Sequence, residues 1–311
     1  MVYIKISHYK NVFTPLVSMT QKGLLVALPK WFEKYYPKES IEVTNEYIYI
    51  TGEIPVGLVA HLDTVHPSAP FQLFRDQEQG VIWSPQGLGA DDRAGIFAIM
   101  RLVEQGYRPS IILTTDEEIG AGGATAVTIA YPQPKTPLNF LIEIDRMGEM
   151  EAVYYNCDSE SFEEYITSFG FITNFGTFSD IYILGPAWQI PSVNVSAGYY
   201  NEHTPIEYLV EGVLEETIAA VGKILADEPR TFECTYRRSS FYTVNTCDLC
   251  LKTSDDLIAV PEEDHSFVYH FCPECVEKSN IVRKCRKCGK QFVSFDIGEV
   301  PYCEECEFGE E

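Results

Sequence analysis

Basic residues are scarce in this chain: 23 Lys and Arg stand against 46 Asp and Glu, giving a formal net charge of −23 and a pI near 4.6. Such a balance excludes a sequence-independent grip on nucleic acid or on an anionic membrane, both of which need clustered cations. Long apolar runs are lacking too. Nowhere do about 18 apolar residues follow one another, and the opening MVYIKISHYKNVF has no sustained apolar core of the secretory type. The expectation is a soluble, cytoplasmic protein without membrane contact. No GxSxG pentapeptide occurs, so the nucleophile elbow of a serine hydrolase is missing. Cysteine is almost absent from the first 245 residues, where only Cys157 and Cys234 occur, and both read as ordinary buried thiols.

The other eight cysteines crowd into the last 65 residues as four CxxC pairs: Cys247 with Cys250, Cys272 with Cys275, Cys285 with Cys288, and Cys303 with Cys306. This is the spacing of zinc ligands rather than of a disulfide scaffold, and eight thiolates suit two closed, structural zinc ions. CRKCGKQF, with glycine after its second cysteine, resembles a zinc-ribbon knuckle. Two consecutive ribbons built from neighbouring pairs are therefore expected, with a cross-braced pairing still open. His265 and His270 are spare ligands. From Thr246 onward 7 Lys and Arg meet 15 Asp and Glu, which disfavours nucleic acid as a partner. Two roles remain for the tail: a contact for a protein partner, a substrate or a second copy, or a metal-folded cap on the rest of the chain.

The 311 residues suffice for about two domains. LLVALPKWFEKYY has helical spacing, and IEVTNEYIYITG reads as a hairpin. Four short apolar runs then end abruptly in polar residues: VGLVAHLD, SIILTTDEE, NFLIEID, and PSVNVSAG, which His203 follows closely. GIFAIMRLVEQG and IEYLVEGVLEETIAAVGKILADE read as helices. Strands alternating with helices predict an α/β domain with a largely parallel central sheet flanked by helices, its site at the carboxyl edge. The pattern dissolves in TFECTYRRSSFYTVN, so the expected division is an α/β domain over 1–235 and a zinc-binding domain over 246–311.

Chemistry-bearing residues gather at the strand ends. In AHLDTVH, His61 and Asp63 share one side of a strand, so Asp63 can hold the His61 ring while the other ring nitrogen binds a metal. In GLGADDRAG, Asp91 and Asp92 repel each other unless a cation or hydrogen bonds compensate. Arg93 offers the plainer alternative of a surface ion pair. TTDEEIGAGG sets Glu117 and Glu118 side by side, and one can bind metal while the other takes a proton from the attacking water. His66 reads equally as a partner of the site or as a structural histidine. Tyr199 and Tyr200 read as pocket wall or as core.

Taken in order, AHLDTVH, GADDRAG, TTDEEIGAGG, LIEIDRMG and NEHTPIE resemble the co-catalytic di-zinc exopeptidases, the superfamily of bacterial leucyl aminopeptidase, tripeptidase and the acyl-amino-acid deacylases, over about residues 56–225. The resemblance implies that His61 and Asp145 bind one metal and Glu118 and His203 a second, with Asp91 bridging them. Asp63 would orient His61, and Glu117 would be the general base for a metal-bridging hydroxide. It also implies two catalytic divalent ions, most readily zinc, and hydrolysis of a peptide bond as an aminopeptidase. A deacylase of N-acylated amino acids or small amides is the alternative, and a catalytically inactive binding platform a second one. The acid of NEHTPIE is Glu207, where the aminopeptidase branch usually has aspartate. Ser179 and Asp180 resemble a serine–aspartate segment of that branch. Only 27 residues separate Asp63 from Asp91, and 57 separate Asp145 from His203, so the domains that some relatives insert at these points do not fit.

Overall fold

The computed structural model describes residues 9–155, 157–176, 178–236, 256, 258–261, 268–278 and 282–293. The chain divides into two compact units, Met1–Arg237 and Arg238–Glu311. The strands of the first unit are β1 (Ile41–Val43), β2 (Tyr47–Ile50), β3 (Ile54–His61), β4 (Phe74–Asp76), β5 (Val81–Trp83), β6 (Pro109–Thr114), β7 (Phe140–Arg146), β8 (Glu151–Val153), β9 (Cys157–Asp158), β10 (Ile172–Thr173), β11 (Ser192–Ser196), β12 (Tyr199–Tyr200), β13 (Tyr208–Val210) and β14 (Thr235–Tyr236). Its helices include α1 (Gln21–Phe32), α2 (Ala90–Glu104), α3 (Gly122–Ala130), α4 (Glu160–Thr167), α5 (Asp180–Trp188) and α6 (Glu211–Ala226).

Eight strands form the central sheet in the order β1-β2-β6-β3-β7-β11-β8-β10. Its middle four, β6, β3, β7 and β11, run parallel, and they are the four apolar runs of the sequence. Every residue of β6 and of β11 is buried. Strands covered on both faces need no polar alternation, which is why they read as continuous apolar stretches. At one edge the β1–β2 hairpin turns where Glu46 N and Tyr47 N donate to Thr44 Oγ1, and β2 then pairs antiparallel with β6.

Helices cover both faces, α2 packing with α6 and α3 packing with α5. α2 is buried along almost its whole length because it lies between β3 and β7 on one side and α6 on the other. Its approach to the sheet depends on Gly95, where a Cβ would meet Ile144 O at 2.2 Å. That close approach brings the start of α2, where Asp91 and Asp92 depart from helical φ and ψ, to the carboxyl ends of the parallel strands. A second sheet, in the order β12-β13-β5-β4, was not legible in the sequence pattern. It ties the excursion between β3 and α2 to the segment that carries His203.

Among its described residues the second unit contains two antiparallel pairs, β15 (Ile258–Pro261) with β16 (Val268–Phe271) and β17 (Val282–Lys284) with β18 (Gln291–Val293), and a short α7 (Pro273–Lys278). Cys272 and Cys275 lie at the start of α7, where Cys275 N donates to Cys272 O at 2.9 Å. Cys285 and Cys288 occupy the turn between β17 and β18. There Cys288 N donates to Cys285 Sγ at 3.4 Å, and Gly289 takes a left-handed φ of 75°. Cys247, Cys250, Cys303, Cys306 and His265 lie outside the described residues. Among the described residues no helix is long and apolar enough to cross a membrane.

Candidate metal centre

β3, β6 and β7 end at one edge of the sheet, and each delivers predicted residues there. His61 closes β3 and is fully buried; Asp63 follows on the same side. The Nδ1 of His61 faces Asp63 Oδ1 at 3.2 Å, which turns its Nε2 toward Asp91 Oδ1 at 3.0 Å and Asp145 Oδ1 at 3.3 Å. Asp63 has a second task that the HxD spacing did not reveal: its two carboxylate oxygens accept from Glu117 N and Glu118 N, each at 3.1 Å. One side chain therefore orients the imidazole and holds the acidic turn after β6. That turn needs Asp116 at a φ of 58°, and Gln21 clamps Asp116 by accepting from its backbone N–H and donating to its carboxylate.

His203 comes from the loop between β12 and β13, at a φ of 61°. Its Nε2 lies 3.1 Å from Asp91 Oδ2 and 3.0 Å from Glu118 Oε2. Two groups of candidate ligands result, His61 with Asp91 and Asp145, and Asp91 with Glu118 and His203; within each, the ligand atoms lie within 4.8 Å of one another. Asp91 belongs to both. Glu117 belongs to neither, and Glu118 Oε1 is buried without a hydrogen-bond partner.

Asp91 is held from behind by Glu207, a fully buried carboxylate. Its Oε1 accepts from Asp91 N at 3.0 Å, and its Oε2 accepts from Leu88 N at 3.1 Å and Gly89 N at 2.6 Å and meets His66 Nε2 at 2.9 Å. His66 thus serves the same loop. The packing is tight: a Cβ on Gly87, whose φ is 85°, would meet the His66 ring at 2.1 Å. Asp92 also orders the loop, though through backbone rather than through Arg93, since its oxygens accept from His61 N at 3.3 Å and Gly95 N at 2.8 Å. Arg93 is no surface residue; it is 2 % exposed and donates to Asp63 O and Met19 O.

On the other flank Tyr199 Oη donates to Asp145 Oδ1 at 3.1 Å, and Asn194 brackets Asp145 by accepting from its N–H and donating to its carbonyl. Tyr200 lies farther out, stacked on Tyr208. Ser179 and Asp180 are fully buried at the start of α5, where Thr114 Oγ1 donates to Asp180, and neither joins the two ligand groups. Sequence reasoning missed the roles of Asn194, Gln21 and Glu207. The acid of NEHTPIE was the one visible signal, and its function depends on a loop more than a hundred residues upstream.

Burial drives the electrostatics. It pushes Glu117 and Glu118 up to about 7, aided by the negative charge of Asp91 and opposed by His61. Burial also lifts Asp145 well above the usual carboxylate range. Asp91 and Asp63 go the other way: burial opposes their ionisation, but hydrogen bonds, to His203 and His61 for Asp91 and to His61 and the N–H groups of Glu117 and Glu118 for Asp63, hold both below the ordinary value. Burial lowers His61, yet the charge and hydrogen bond of Asp145, with those of Asp63 and Asp91, outweigh it and keep its pKa well above normal. The hydrogen bond to Asp91 likewise raises His203 to about 9 against burial. Protons thus balance a cage that has an excess of carboxylates, and a divalent cation can take their place with the same donors.

No protein-family model matches the sequence, and no curated protein matches it. Solved structures do share the fold. A tripeptidase from Staphylococcus aureus superposes with a TM-score of 0.54 at 15% identity, covering 71% of this chain and 99% of its own. The aminopeptidase PepT from Bacillus cereus gives 0.53 at 15% identity, again over 71% and 99% of the two chains. An aminopeptidase from the archaeon Desulfurococcus kamchatkensis gives 0.52 at 10% identity, over 72% and 96%.

Proposed function

We propose that this chain is a metal-dependent hydrolase that removes the first residue of a peptide, an aminopeptidase. The observation that carries the reading is Asp91, shared between two histidine–carboxylate groups, with Glu117, next to Glu118 in the chain and held by Asp63, inside neither. His61, Asp91 and Asp145 would hold one divalent cation, and Asp91, Glu118 and His203 a second. The donor set fits: imidazole and carboxylate suit zinc, and the buried, unpartnered Glu118 Oε1 has acceptor capacity to spare. When bound, such a pair supplies Lewis-acid activation of a water and of the scissile carbonyl.

The remaining work falls to the protein. Asp63 fixes the tautomer of His61 by engaging Nδ1, which leaves Nε2 as the ligand atom. Glu117, with a pKa raised to about 7, is suited to take a proton from the attacking water on its carboxylate and return it to the departing amine. No covalent bond between enzyme and substrate is needed, in keeping with the absence of a serine nucleophile motif. Ile119, Met147 and Ile206 are exposed and stand within three residues of Glu118, Asp145 and His203. Their position favours an apolar first residue. The fold shared with two aminopeptidases and a tripeptidase agrees with this reading. In the tail, Cys272, Cys275, Cys285 and Cys288, with the pairs outside the described residues, are assigned to two structural zinc ions. The module would contact a protein partner or a second copy.

The test is a kinetic panel of aminoacyl substrates with a free α-amine set against their N-acylated counterparts, using zinc-loaded protein. Preferential turnover of the free-amine series is expected. Turnover confined to the N-acyl series would replace the aminopeptidase reading with that of a deacylase, and no turnover of either would leave only a binding platform.

A further inference from the structure

Cys157 and Cys234 stand outside the CxxC series and 77 positions apart, yet the fold brings them together. β14 pairs antiparallel with β9 so that Thr235 faces Asp158 and Tyr236 faces Cys157. Cys234, two residues before Tyr236, is therefore the diagonal neighbour of Cys157 on one face of this two-stranded ribbon. Both are free thiols, and no disulfide joins them. Their exposure differs. Cys157 is fully buried, with Sγ 3.1 Å from Ile190 O, whereas Cys234 is half-buried and within reach of a small reagent.

We propose that Cys157 and Cys234 form a redox-active dithiol that closes to a disulfide by exchange with a small disulfide such as oxidised glutathione. The asymmetry of the pair assigns the order of events. Cys234, the accessible thiol, attacks as thiolate on one sulfur of the small disulfide; the S–S bond breaks, one small thiol leaves, and a mixed disulfide remains on Cys234. Cys157 then gives up its proton, its sulfur attacks that of Cys234, and the second small thiol leaves with the electron pair. The dithiol is oxidised by two electrons and the small disulfide is reduced to two thiols. The proximity of the two thiols lowers the pKa of Cys234, while the same proximity together with burial raises that of Cys157, as this division of roles requires.

The consequence lies where the first unit ends. The segment after α6 is held by Phe232, which packs among Phe140, Phe162 and Tyr165, and by the two-residue ladder of β14 on β9. A ladder that short opens readily. A covalent link from Cys234 to Cys157 would keep this stretch docked and close a long loop within the catalytic unit.

The experiment uses the full-length, zinc-replete protein equilibrated in glutathione buffers of increasing oxidised fraction, followed by thiol blocking, non-reducing digestion and mass spectrometry. A peptide joining Cys157 to Cys234 is expected, together with a rise in melting temperature of roughly 5 °C or more that reductant reverses. With Cys157→Ala, glutathione should stay trapped on Cys234; with Cys234→Ala, Cys157 should remain unmodified while the protein is folded. Absence of the linked peptide from the wild-type protein in fully oxidised glutathione overturns the proposal, and that measurement requires no variant to fold. An adduct found first on Cys157 overturns the assigned order.

Discussion

Removing the Glu207 carboxylate should weaken both candidate metal positions, although Glu207 is a member of neither. It is fully buried, accepts from three backbone N–H groups of the Leu88–Asp91 loop, and meets the imidazole of His66. In Glu207→Ala each of those donors loses its acceptor. A buried donor left unsatisfied costs about 1–3 kcal/mol, and water entering the space left behind would hold each loss near the lower end, so a total of roughly 3–5 kcal/mol is expected. Glu207→Gln keeps the shape but must turn its NH2 toward at least one N–H, so about 2–3 kcal/mol is the expected loss. Because Asp91 N is one of the donors, the carboxylate shared by both groups loses its anchor. Partners of that kind typically govern metal affinity by 10–100-fold. Zinc content after equilibrium dialysis, read beside a calorimetric melt, tests the chain of reasoning. Both catalytic zinc ions should weaken together in Glu207→Gln while the protein still melts cooperatively. If the variant is destabilised yet holds both metals with wild-type affinity, Glu207 merely packs the loop and the positioning argument fails.

Other outcomes follow from the same geometry. Glu117→Gln should keep its metal content and lose roughly 10²–10⁴-fold in turnover, and a variant as active as wild type would remove Glu117 from the chemistry. Asp91→Ala should empty both catalytic positions in metal analysis. Asp92→Ala should retain metal but melt lower, because His61 N and Gly95 N lose their acceptor; equal metal loss in the two variants would contradict the separation of roles. Stability of the metal-free protein should depend on pH with a defined sign. Glu117, Glu118 and Asp180 have folded pKa values of about 7 against ordinary values of 4.5, 4.5 and 3.8, so their protonation stabilises the fold fully below pH ~4 and that contribution is lost as pH rises through 7. His203, raised from 6.5 to about 9, extends the loss toward pH 9. Melting temperatures in chelator should fall from pH 5 to pH 9, and added zinc should restore most at the alkaline end; a flat or rising profile would show that the carboxylates do not carry these shifts.

The sheet and the ligand candidates were legible in the sequence because both rest on local pattern. A buried parallel strand ends where apolar residues give way to polar ones, and the four runs ending near Asp63, Glu117, Asp145 and His203 became the four central parallel strands. His61 and Asp63 needed only the two-residue period of a strand. What stayed hidden depends on contacts distant in sequence. Asp63 holding the turn of Glu117 and Glu118, Gln21 clamping Asp116, and Glu207 anchoring Asp91 each join segments at least 54 positions apart. Arg93 read as a surface residue because nothing in GADDRAG shows that α2 is covered on both sides. The β12-β13-β5-β4 sheet escaped notice because strands of two or three residues are too short to display a period.

On the proposed reading, two cations on a shared Asp91 make this chain a peptidase. Its most direct test is zinc titration of the full-length protein, stripped of its exchangeable metal, while cleavage of a peptide with an apolar, unblocked first residue is followed. Activity should appear as bound zinc rises by two equivalents beyond that held by the tail and should then level off. Cleavage that is independent of these two ions, or absent when both are bound, would contradict the account.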